Sequence, residues 1–357
     1  MEVESMNKID HGGDILSFIE RFGRTPLDFS ANTNPLGLSP LAKEAMISAL
    51  DEADRYPDPY CRALRRAIGE QEDIAPEHIL CGNGAADLIY RLVLAYRPRR
   101  ALLPAPAFSE YENALRLMGC QIEYFALLEE NDFQITDDFL PRIRPEIDIL
   151  FLCEPNNPTG VCTSPELLTQ IAVQCRKNSV LLIVDECFNG FLSDPDAQSV
   201  KRLISDLPEL VILKAFTKMY GMAGVRLGYL MNSDTHLIEA IRASGQHWPV
   251  SSLAQAAGVA ALHDRAYMDE TKRVIAVERQ RLRDGLLAAG CRVYPSKANY
   301  LFFCSRRHDL QERFAEKGIL IRDCSNYEGL EKGYYRIAVR TEQENRLFLD
   351  ALFAVLP

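Results

Sequence analysis

Three runs of the chain, 149–153 (ILFLC), 180–184 (VLLIV) and 211–213 (VIL), are apolar at every position, and each leads into a polar turn. A strand with one face in water alternates apolar and polar residues, whereas a strand that is apolar throughout is covered on both faces. Helical stretches stand between these runs, most clearly at 165–177, so the chain is constrained to an α/β fold: a mostly parallel sheet with helices on both sides. Shorter strands are expected at 79–81, 101–103, 121–125 and 227–231. Helices are expected from the Ser39–Pro40 cap to about 51, at 61–71, after 88 and at 111–118. Residues 1–40 are polar, with Gly- and Pro-rich turns, and read as an extended arm. Long helices over 241–278 lead to a smaller α+β unit with strands at 291–294, 300–304, 320–322 and 334–339. At 357 residues the chain suggests two domains behind that arm, a large one over 41–245 and a small one over 246–357.

Charge narrows the class of partner. Forty Lys and Arg against fifty Asp and Glu leave a net charge of −10, which disfavours nucleic acid and anionic membrane surfaces. An anionic ligand must therefore be gripped by a local cluster of basic groups. The ten cysteines are scattered, without CxxC pairs or Cys–His ligand spacing. That argues for a reducing compartment and against a disulfide framework or a metal site. The first 25 residues lack a basic-then-apolar leader, and no apolar run approaches the ~20 residues of a membrane span. A cytoplasmic protein is expected.

In sheets of this kind, ligands bind at the carboxyl ends of the strands. GNGAAD (82–87), EPNNPTG (154–160), DECFNG (185–190) and AFTK (215–218) all fall at such ends, so they share one rim. Lys218 lies between two apolar strands, where desolvating an ammonium costs several kcal/mol. Binding the amine to an aldehyde as a Schiff base removes that cost, and Arg226 then holds an anionic group of the same molecule. A phosphorylated pyridine aldehyde would take Asp185 against its ring nitrogen and Asn157 against its ring oxygen. Phe108 would lie on its face, and the Gly84 and Ala85 amides at a helix N-terminus would meet its phosphate. Each of these residues also has an ordinary reading: a surface lysine, a turn aspartate, a tight GNG turn, a core phenylalanine. Their common position on one rim separates the two readings.

The motifs HGGD, DFSANTNPLG, RYPD, GNGAADLIY, LFLCEPNNPTG, DECF, VRLGYL, PSKANYLFF, ILIRDCSNYEGL and YYRIAVR span nearly the whole chain. In them it resembles the fold-type I pyridoxal-phosphate enzymes, in the branch that holds histidinol-phosphate aminotransferases and threonine-phosphate decarboxylases. HGG near the start and IRDCSNYEGL near the end lean toward the decarboxylases, which serve cobalamin biosynthesis by making aminopropanol phosphate. The resemblance implies pyridoxal 5'-phosphate as cofactor, Lys218 as its Schiff-base lysine and Asp185 as the partner of its ring nitrogen. It adds Thr217 to the phosphate group and implies a homodimer in which Tyr56 reaches the neighbouring subunit's cofactor. His11, Asn32, Asn157, Arg322, Tyr327 and Arg336 are implied to receive a small phosphorylated amino acid. Three positions depart from the family pattern: Phe188 replaces a tyrosine that donates to the cofactor ring, Asp14 replaces the asparagine of HGGN, and Ala215 replaces a hydroxyl residue. The alternatives left by the resemblance are a histidinol-phosphate or aromatic aminotransferase and a serine-phosphate decarboxylase.

Overall fold

A computed structural model describes residues 11–356, so the first ten residues of the expected arm lie outside it. Its centre is a seven-stranded sheet in the order Ile79–Gly82, Gly228–Met231, Leu210–Ala215, Leu181–Asp185, Ile149–Cys153, Arg100–Ala105, Gln121–Ala126. All neighbours run parallel except Gly228–Met231, which is antiparallel to both strands beside it. The link between Ala215 and Gly228 holds only the four-residue helix Phe216–Met219, not the long crossover helix that usually joins parallel strands.

The unbroken apolar runs have the predicted cause. Along Leu181–Asp185, Leu182 and Val184 enter one core, together with the helix Pro165–Lys177, while Leu181 and Ile183 enter a second core under the helix Gly84–Tyr96. The helix Pro165–Lys177 starts where the sequence places it, with Ser164 Oγ accepting from Leu167 N and proline at its first position.

A four-stranded antiparallel sheet, in the order Arg322–Asp323, Tyr334–Ala338, Tyr300–Cys304, Arg292–Val293, packs against the helices Arg265–Ala288 and Glu342–Val355. The amino-terminal segment joins this unit: Leu27–Asp28 pairs in parallel with Ile319–Leu320, and Phe29 is wholly buried against Phe348.

One expectation fails here. Residues Ile15–Phe22 are helical rather than extended, with Asp14 as N-cap and Gly23 in the left-handed cap position. Ile15, Phe18, Ile19 and Phe22 already show the helical spacing, but the Gly- and Pro-rich surroundings hide it.

Behind the rim, a buried ionic network ties three central strands to the helix Arg62–Glu72. Lys214 Nζ is 2.9 Å from Glu72 Oε1 and 3.5 Å from Glu186 Oε2, and Tyr229 donates to Glu72 at 2.6 Å. Burial pulls the Lys214 pKa down, but Glu72 and Glu186 outweigh it and hold the amine protonated. The strand that ends at Asp185 and the strand that leads into Lys218 are thereby tied together.

Candidate active site

The rim encloses a cavity of about 230 Å³. Twelve of the fourteen residues singled out in the sequence line it: His11, Asn32, Ala85, Phe108, Asn157, Asp185, Thr217, Lys218, Arg226, Arg322, Tyr327 and Arg336. Gly84 stands just behind the wall. Tyr56 stands outside: it is 79% exposed and stacks on Trp248 with ring centroids 4.3 Å apart.

Lys218 sits in a four-residue helix, Phe216–Met219, that continues the strand ending at Ala215. Among the described residues its amine has no hydrogen bond or ion pair, and it lies over the Phe188 ring, whose centroid is 5.5 Å from Nζ. Burial, with Arg336 and Arg226 adding to it, lowers the pKa to about 8. An appreciable fraction of a lysine so placed is the free, nucleophilic amine near neutral pH.

Asp185 ends its strand wholly within the protein. Its Oδ1 accepts from Cys187 N at 3.0 Å and its Oδ2 accepts from the Tyr111 hydroxyl at 2.6 Å. Burial raises its pKa in spite of those bonds. A buried carboxylate in this state is completed by a cationic N–H, which the cavity's own residues do not supply at hydrogen-bonding distance.

Glycine geometry shapes the corner beside it. Gly84 has φ +83°, and a Cβ there would lie 2.5 Å from Arg226 Nη2, so only glycine lets that guanidinium close on the N-terminus of the helix Gly84–Tyr96. Arg226 itself takes a left-handed φ of +62°, which costs roughly 1–2 kcal/mol for a residue with a side chain. At Gly228 a Cβ would lie 2.6 Å from Ala85 N, so the RLGY glycine lets its strand pass directly against that helix N-terminus. The helix amides, Thr217 and Arg226 form a corner suited to a phosphate.

On the opposite wall, Arg322 and Arg336 are cross-strand partners in the small antiparallel sheet, each 5% exposed. Arg336 donates to Asn157 Oδ1 at 2.5 Å and to Ser30 O at 2.9 Å, with the Tyr327 hydroxyl 3.4 Å away. Arg322 donates to Asn326 Oδ1 at 2.8 Å. Arg336 Nε and Asn32 Oδ1 are buried with no hydrogen-bond partner among the described residues. The Arg336 guanidinium beside these two unsatisfied polar atoms suits an anionic, hydrogen-bonding guest.

The departures also find places. Phe188 lines the cavity and packs edge-on against Tyr300, with ring centroids 5.0 Å apart, and Ala215 is also in the wall. Asp14 is turned to its own helix, where Oδ1 accepts from Ser17 N at 3.1 Å. Sequence reasoning did not single out Tyr111 or Ser30. Tyr111 follows Phe108 by three positions, a helical neighbour whose buried hydroxyl needs a partner, and that was the available signal. Ser30 meets Arg336 through its backbone carbonyl, a contact that leaves no trace in residue type.

Comparison with known proteins agrees with this architecture. Threonine-phosphate decarboxylase of Salmonella typhimurium is 40% identical over 352 residues, covering 97% of this chain and 96% of that protein. The adenosylcobalamin biosynthesis bifunctional protein CobDQ of Leptospira interrogans is 30% identical, over 97% of this chain and 41% of its own length. Among solved structures, histidinol-phosphate aminotransferase from Clostridium acetobutylicum superposes with a TM-score of 0.86 at 27% identity, covering 92% of this chain and 98% of that one. The profile described as aminotransferase class I and II matches residues 24–352, and the chain belongs to that family.

Proposed function

We propose that this chain is a pyridoxal 5'-phosphate-dependent carboxy-lyase. It converts L-threonine O-3-phosphate to (R)-1-amino-2-propanol phosphate and CO2, for cobalamin biosynthesis. The observation that carries the substrate class is the opposed pair Arg322 and Arg336: two buried guanidinium groups on one wall suit a small molecule with two anionic groups, a carboxylate and a phosphate. The cavity residues fit the cofactor by their donor set: a free amine, a buried carboxylate lacking a cationic partner, and a glycine-lined helix N-terminus beside an arginine.

The bound cofactor supplies an electron sink for the bond broken at the substrate's α-carbon. The chain's residues do the rest. Lys218 would present the unprotonated amine, take up the proton shed by the substrate's ammonium group and deliver it to the α-carbon in place of the lost CO2. Asp185, steadied by Tyr111, keeps a positive charge on the ring nitrogen favourable. Arg226, Thr217 and the amides of Gly84 and Ala85 hold the cofactor phosphate, and Phe108 covers a ring face. Arg336, aligned by Asn157 and Ser30, takes the substrate carboxylate, while Arg322 and His11 take its phosphate, with Asn32 and Tyr327 completing the wall. The reading includes a cytoplasmic homodimer in which Tyr56 serves the neighbouring subunit. Ten cysteines without a disulfide suit a reducing compartment, and the outward position of Tyr56 suits a role beyond its own cavity.

Phe188 favours decarboxylation over amino transfer, since it offers the ring no hydroxyl donor. The test is incubation of cofactor-loaded protein with L-threonine O-3-phosphate, with and without 2-oxoglutarate. CO2 and the amine in equal amounts, independent of the keto acid, are expected. Glutamate formed from histidinol phosphate and 2-oxoglutarate, without CO2, would overturn the reading.

A further inference from the structure

Glu110 does not line the cavity, yet it is the residue to which His11 is tied. His11 Nε2 lies 2.7 Å from Glu110 Oε1. The carboxylate is itself fixed: Tyr90 donates to Oε2 at 2.9 Å from the preceding helix, and Asn113 donates to Oε1 at 3.1 Å. These bonds, that from His11 foremost, hold the Glu110 carboxyl below its ordinary range against the opposing push of partial burial. The backbone beside His11 is fixed as well. At Gly12 a Cβ would lie 2.2 Å from Ser30 O, and Gly13 N donates to Ser30 Oγ at 2.8 Å. His11 is thus held by its ring and by its main chain at the edge of the cavity, beside Phe108, with ring centroids 5.9 Å apart.

We infer that Glu110 is a positioning residue that sets His11 for the phosphate of the substrate, an inference that rests on the phosphorylated-substrate reading above. Engaging Nε2 with Glu110 leaves Nδ1 as the ring nitrogen for a ligand. Meeting a carboxylate with one nitrogen and a phosphate oxygen with the other takes a donor on both, which is the imidazolium form. Glu110 balances that charge and fixes the ring plane, as a carboxylate behind a functional histidine does elsewhere. Without the imidazole in front of it, the same carboxylate faces the incoming phosphate as a like charge. The sign of its effect on phosphate binding therefore depends on His11.

The experiment is calorimetric binding of n-propyl phosphate to the cofactor-loaded protein, with butyrate as the phosphate-free comparison. It is run on the wild type, Glu110→Gln, His11→Ala and the double variant, with Glu110→Ala as a second removal of the charge. In the presence of His11, loss of the Glu110 charge weakens n-propyl phosphate binding about tenfold, the size of one charge-assisted hydrogen bond. In the His11→Ala background the same change tightens it, and butyrate binding moves in neither. A loss of equal size in both backgrounds, or for both ligands, marks a merely structural role and overturns the inference. So does an unchanged affinity in Glu110→Gln, or a wild type that does not bind n-propyl phosphate. A sign reversal in a protein that releases no CO2 from threonine phosphate would leave the inference standing and remove the decarboxylase reading. CO2 release with an additive cycle would do the reverse.

Discussion

Tyr111 donates its hydroxyl to Asp185 Oδ2 across 2.6 Å, reaching from a helix to the carboxyl end of a buried strand. This bond, the one from Cys187 N and that from the Cys187 thiol meet the carboxylate in a wholly buried place, and even so its pKa is raised. Tyr111→Phe removes one of these bonds. Cofactor affinity should fall about tenfold, equivalent to a net hydrogen bond of ~1–1.5 kcal/mol, measured by equilibrium dialysis of pyridoxal 5'-phosphate. An unchanged affinity would show that Tyr111 only fills space.

Lys218 gives a pH signature with a definite sign. Its folded pKa is about 8, below the ~10.4 of an unfolded lysine. Between those values the unfolded chain binds more protons, so the stability of the cofactor-free protein rises with pH across that window. Urea unfolding at about pH 7.5 and about pH 9.5 should show this rise in the wild type relative to Lys218→Met, which lacks the group. A difference between the two proteins that stays constant with pH would contradict the burial argument. Lys218→Ala should also lose both activity and the visible absorbance that develops when pyridoxal 5'-phosphate is added.

Arg336 makes three hydrogen bonds with one planar fork, to Asn157, to Ser30 and, longer, to Tyr327. Lysine keeps the charge and loses the fork. Arg336→Lys should weaken substrate binding by ~2 kcal/mol or more, a change of at least about thirtyfold in the constant for threonine phosphate. Steady-state kinetics and calorimetry both read it. A change below about threefold would move the carboxylate site elsewhere.

Lys214 is not among the residues that line the cavity, so it separates scaffold from chemistry. Replacing it with methionine leaves Glu186 without its cation and Glu72 with only the more distant Lys201, at 3.5 Å, which should cost about 3–5 kcal/mol of stability. The loss should lessen as pH falls and those carboxyls take up protons. Denaturant unfolding at two pH values checks both the magnitude and the trend, and a neutral outcome would mean that water replaces the ammonium.

The sheet and most of the rim were legible in the sequence, because a strand buried on both faces must be apolar at every position and its end must be polar. Lys218, Asp185, Asn157 and Arg226 could be found because each lies within a short motif beside such a strand. The pairing of Glu110 with His11 could not, since it joins residues 99 apart on different elements. The helix Ile15–Phe22 was missed although its apolar spacing is present, because glycine and proline around it speak against regular structure.

The sequence by itself determined which side chains stand at the strand ends, since hydrophobic burial and turn chemistry act over a few residues. Only the tertiary structure decided which of them meet. The register that sets Arg322 opposite Arg336 and the close approach that Gly84 allows Arg226 depend on distances between elements. So does the helix packing that brings Tyr111 to Asp185 and Tyr90 to Glu110. Those distances are set by close packing of whole side chains, a property of the folded core that no local pattern of residues records.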